Sequence, residues 1–110
     1  MKHFLQITFL LGAVLLVTGN ALAHKVNLFA YVEGQTVFTE SYFPDGRPVE
    51  GGKILVYDSQ DNLLLTGATD TEGLFDFAAP KVDDLKIVLE AGMGHRTEFT
   101  LSQTDLEADE

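Results

Sequence analysis

Thr69-Asp70-Thr71-Glu72-Gly73-Leu74-Phe75-Asp76-Phe77 decides how this chain is read. Asp70 has the side chain that accepts backbone N–H groups inside a turn. Gly73 tolerates the positive φ such a turn needs. Phe75 and Phe77 are two residues apart, so they share one face of a strand and can plug a core. The turn therefore joins a strand at Leu63–Thr69 to another at Leu74–Ala78.

Working outward, the same grammar repeats. Lys25–Glu33 alternates, with Val26, Leu28, Ala30 and Val32 on one face and Asn27, Phe29 and Tyr31 on the other. Glu33-Gly34-Gln35 turns the chain into Thr36–Phe43, making a hairpin. Pro44-Asp45-Gly46-Arg47-Pro48 stops the ladder. Lys53–Tyr57 is a third strand, with Ile54 and Val56 sharing a face, and Asp58–Asn62 turns it into the strand at Leu63–Thr69. Leu85–Ala91 and His95–Leu101 complete the set around Gly92-Met93-Gly94, with Thr97, Phe99 and Leu101 aligned. Seven short strands between Gly, Pro and Asp turns, with no convincing helix, predict an all-β sandwich. The sandwich domain is 24–102, and 103–110 reads as an acidic, flexible tail.

Before the sandwich comes a different composition. Met1-Lys2-His3, an apolar stretch from Phe4 to Val17 and Ala21-Leu22-Ala23 have the layout of a secretory signal peptide, 1–23, cut after Ala23. The alternative is an uncleaved membrane anchor, but the run is short of the ~20 apolar residues a spanning helix needs. The protein is thus expected outside the cytoplasm, in the periplasm or its equivalent. It would be soluble, with no transmembrane segment in the mature chain, or anchored if the signal is kept.

The whole chain has 110 residues, 7 Lys plus Arg against 17 Asp plus Glu, and a net charge of −10. Cutting 23 residues from 110 leaves 87; with Lys2 gone and no acid lost, −10 becomes −11. That charge argues against nucleic-acid partners. The absence of cysteine excludes disulfides, thiolate metal sites and thiol nucleophiles.

The segments Lys53–Asp58, Asn62–Leu65 and Thr69–Phe77 resemble the carboxypeptidase-regulatory-like sandwiches, small Ig-like or transthyretin-like domains. Their Thr-Asp-x-x-Gly-x-Phe-x-Phe turn joins two strands. Three further pieces are His24-Lys-Val-Asn-Leu-Phe-Ala30, Ser41-Tyr-Phe-x-Asp-Gly46 and Leu89-Glu-Ala-Gly-Met-Gly-His-Arg96. Together they resemble the small extracytoplasmic accessory (L) component of energy-coupling-factor-type nickel and cobalt importers. The resemblance spans essentially the whole mature chain. It implies assistance to divalent-metal uptake at the cell surface, beside separately encoded membrane subunits.

His24 becomes the free N-terminus if cleavage follows Ala23. Its α-amine and imidazole would then chelate one ion, and both donors suit Ni(II), Co(II) and Cu(II). The alternative is a solvated residue that merely follows the cleavage site. His95 opens the last strand. If the first and last strands pair in parallel, both histidines fall at one end of the domain, with water or Glu90 completing the shell. Otherwise His95 reads as a loop histidine bonded to backbone. The Met93 thioether suits Cu(I) better than Ni(II), and loop packing explains it more simply.

Asp58, Asp61, Asp70, Glu72 and Asp76 do not match an EF-hand and read as turn chemistry. Ser41, Ser59 and Ser102 sit in no nucleophile elbow. The expectation is a non-enzyme, with Ni(II) or Co(II) as cargo and no organic cofactor. Its competitors are a metal-free interaction module of an envelope complex and a small copper-binding protein.

Overall fold

Alternation of apolar and polar residues is what the backbone follows. The computed structural model describes residues 25–108; the expected signal 1–23 and His24 lie outside them. Within them the strands are β1 (Asn27–Glu33), β2 (Thr36–Tyr42), β3 (Lys53–Tyr57), β4 (Leu63–Ala68), β5 (Leu74–Ala78), β6 (Leu85–Gly92) and β7 (His95–Leu101). They form two antiparallel sheets, β1–β2–β5 and β4–β3–β6–β7. The expected all-β sandwich is the fold. Against the constant-type immunoglobulin arrangement, β4 has left the sheet of β5 and joined that of β3.

The core lies between the sheets. Leu28 and Val37 come from the first, Ile54, Val56, Leu85, Ile87, Leu89 and Leu101 from the second, and Val49 from the connection between them. Each fully buried aliphatic side chain contributes about 1.5–3 kcal/mol. Phe75 lies over Gly67 of the opposite sheet so closely that a Cβ there would clash with its ring atoms. Buried polar groups are satisfied by neighbouring backbone. Thr39 Oγ1 donates to the Phe75 carbonyl (2.9 Å) and Ser41 Oγ to that of Gly73 (3.0 Å). Thr69 Oγ1 donates to the Val49 carbonyl and accepts from Gly52 N–H.

Two loops are built on one plan. Asp58 Oδ1 accepts from the Gln60 and Asn62 N–H groups, as Asp70 Oδ1 does from those of Glu72 and Leu74. In each, the fourth residue has positive φ: Asp61 at 62° and Gly73 at 78°. These carboxylates serve turns.

Two features depart from the sequence reading. The stretch from 103 was expected to be a flexible tail, yet Gln103–Ala108 is a short helix, α1, whose Leu106 is 4% exposed and packs in the core. Ser102 Oγ accepts from Asp105 N–H while Asp105 Oδ2 accepts from Ser102 N–H, a reciprocal capping box. Asp84 Oδ1 also accepts from the Gln103 N–H. Second, β1 and β7 do not pair in parallel. They belong to different sheets and pack against each other across the sandwich.

Candidate functional site

The starts of β1 and β7 nevertheless meet at one end of the sandwich. Lys25, just before β1, and His95, the first residue of β7, line one open cleft of about 490 Å³ at one end of the sandwich. Phe43, Pro44, Asp45 and Arg47, with Ala91, Gly92 and Met93, complete its lining.

Local chemistry shapes each wall. In Phe43–Arg47, Phe43 N–H donates to the Arg47 carbonyl (2.8 Å) and Gly46 N–H to that of Phe43 (2.9 Å). Gly46, at φ 91°, makes this tight loop possible. Asp45 accepts from Arg47 twice, from the backbone N–H at 3.1 Å and from Nε at 2.7 Å. These contacts, the backbone bond foremost, hold its carboxyl below the usual range. The Arg47 guanidinium carbon lies 5.0 Å from the centroid of Phe43, and the His95 ring meets Phe43 edge-on at 5.5 Å. The imidazole is thus set against one aromatic wall.

The opposite wall is the β6–β7 hairpin. Gly92 pairs with His95, leaving Met93 and Gly94 as its two central residues, at φ 54° and 83°. Positive φ at both positions is the type I′ pattern, which suits right-twisted hairpins and favours Asn-Gly. Methionine there is unusual, and its side chain is 94% exposed at the cleft rim.

The residues singled out in the sequence therefore separate. His95 and Met93 share the cleft, with Lys25, the residue that follows His24 in sequence. His24 itself lies outside the described residues. Glu90 does not join them: it pairs with Arg96 on the outward face of its sheet, while His95, Thr97 and Phe99 alternate toward the other face. Asp70, Gly73, Phe75 and Phe77 perform the turn and core roles expected of them. The cleft's charged lining is Lys25 and the Arg47–Asp45 pair, a balance of one positive charge in a strongly acidic chain.

A second surface was not picked out as a site from sequence. The outward face of the β1–β2–β5 sheet carries Phe29, Tyr31, Phe38 and Tyr42, with Phe29 55% and Tyr31 43% exposed. Its signal was legible: Phe29 and Tyr31 alternate onto the face opposite the core residues, where large aromatics have no packing role.

Fold and cleft together define a small two-sheet β-sandwich with a histidine at one open end. No known family model matches the chain. It is similar to an uncharacterised protein of Haemophilus influenzae, with 36% identity over 110 residues, covering 97% of this chain and 67% of that protein. The chain belongs to the same family as that protein.

Proposed function

We propose that this is an exported accessory protein of divalent transition-metal uptake, holding or presenting Ni(II) or Co(II) to the membrane subunits of an importer. One observation carries the reading: Lys25, next in sequence to His24, and His95 line the same cleft. With cleavage after Ala23, the α-amine and imidazole of His24 would join the His95 imidazole as three nitrogen donors, a set suited to these ions. The exposed rim leaves an ion open to transfer.

Titration of nickel into the processed protein by calorimetry tests the reading. Binding should be lost in a His24→Ala, His95→Ala double variant. Equal binding by the variant would remove the metal role.

A second reading is a metal-free interaction module of an envelope complex. Among the described residues no group of three or more His, Asp or Glu side chains could hold a metal ion, and two cations line the cleft. Loss of nickel uptake on deleting the gene, with full uptake retained by the double variant, would favour this second reading.

A further inference from the structure

The outward face of the β1–β2–β5 sheet is a checkerboard of rings and carboxylates. Across β1 and β2, Asn27 stands opposite Tyr42, Phe29 opposite Glu40 and Tyr31 opposite Phe38. Across β2 and β5, Phe38 stands opposite Asp76 and Glu40 opposite Leu74. Tyr31 and Phe38 stack with centroids 5.5 Å apart and planes 19° from parallel. Tyr42 Oη donates to Glu40 Oε1 at 2.9 Å. A cleft of about 430 Å³ opens here, with Glu40, Asp70, Glu72 and Asp76 in its lining and no lysine or arginine.

The distribution of bases sharpens the contrast. Beyond residue 24 the bases are Lys25, Arg47, Lys53, Lys81, Lys86 and Arg96. None lies on β1, β2 or β5. Lys53, Lys86 and Arg96 belong to the other sheet, Lys25 and Arg47 to the end cleft, and Lys81 to the connection after β5, where it pairs with Asp58. The charge on the first sheet's face therefore comes from carboxylates alone, set among rings. The phenols of Tyr31 and Tyr42 feel it: both are pushed above their ordinary value, Tyr31 mainly by desolvation and then by Glu40 and Glu33, Tyr42 mainly by its bond to Glu40.

We propose that this face docks an arginine- or lysine-bearing segment of a partner polypeptide, its cations lying over Tyr31, Phe38 and Tyr42 and pairing with Glu40 and Asp76. Charge selects that occupant. A second copy would oppose carboxylates to carboxylates. An anionic lipid surface is repelled for the same reason, as is a nucleic acid. A cationic segment gains from both components, because ring faces attract cations and arginine also stacks and bonds carboxylates through two N–H groups. Single isolated apolar residues on a surface mean little, but contiguous rings on one sheet face mark an interaction site. The proposal is independent of the metal reading, since this cleft and the histidine cleft share no lining residue.

The test uses the full chain labelled with nitrogen-15 and a short synthetic peptide alternating Arg and Leu. Amide shifts should concentrate on β1, β2 and β5, weaken with added salt, and persist in a His95→Ala variant. A Tyr31→Ser, Phe29→Ser variant should bind at least roughly tenfold more weakly, and Glu40→Gln with Asp76→Asn should do the same. These side chains point to solvent, so circular dichroism should stay unchanged. The proposal is overturned if a Glu–Leu peptide binds equally, or if the shifts centre on Asp83, Asp84 and α1. Unchanged affinity of the variants overturns it too. So does the same shift pattern raised by concentrating the chain alone or by phosphatidylglycerol vesicles.

Discussion

Gly73 sits at φ 78°, with the Ser41 carbonyl and the Val49 amide against the place a Cβ would take. Its own carbonyl accepts from both the N–H and the hydroxyl of Ser41, so the turn cannot shift to make room. Gly73→Ala should therefore cost about 1–3 kcal/mol in urea unfolding. Gly34→Ala, also at positive φ but with nothing within 4 Å, should cost less; equal losses would contradict the packing argument. Asp58 makes a complementary case. Its carboxyl is 4% exposed and is pushed down from 3.8 to about 2, first by the Asn62 N–H and side-chain amide, then by the Gln60 N–H and Lys81. A carboxyl whose value falls on folding stabilises the fold fully above its unfolded value and loses that effect as pH drops through the folded one. Thermal stability should fall between about pH 4 and pH 2, and Asp58→Asn should be less stable at neutral pH with a shallower fall. An unchanged slope would show that other groups carry the acid limb. Both turns were legible in sequence, because Asp70-Thr71-Glu72-Gly73 and Asp58-Ser59-Gln60-Asp61-Asn62 are local chemistry needing no knowledge of distant chain.

At the scale of elements, legibility ended where tertiary packing began. The seven strands follow from alternation in the sequence, with ends differing by a residue or two, as expected where ladders fray. That β1 and β7 lie in different sheets depends on which edges meet, which no local pattern encodes. Helix α1 was missed because it is short and acidic, although Ser102-Gln103-Thr104-Asp105 has the spacing of a capping box. What decides it is Leu106, whose core position only the assembled sandwich provides. Leu106→Ala should cost about 2–5 kcal/mol, and Ser102→Ala about 0.5–2 kcal/mol through the lost cap. Both are measured by denaturant unfolding. A Leu106→Ala loss no larger than that of an exposed residue such as Leu63 would mean that α1 adds nothing to the fold.

Over the whole molecule the two surfaces divide by charge. The end cleft gathers Lys25, Arg47 and His95; the outer face of the β1–β2–β5 sheet gathers carboxylates and rings. Sequence placed His95 near the start of the first strand by a pairing that does not occur, yet the meeting of strand starts across the sandwich brings the same ends together. It also offered Glu90 as a ligand, which the pleat turns to the opposite side. If that cleft holds a metal cargo, as proposed, paramagnetic Co(II) reports its place directly. In amide spectra of the exported, processed protein, sub-stoichiometric Co(II) should bleach Lys25, Phe43 and Gly92–Arg96 while β5 and α1 keep their signals. Bleaching centred on Asp83, Asp84 and α1, or none at all, would contradict it.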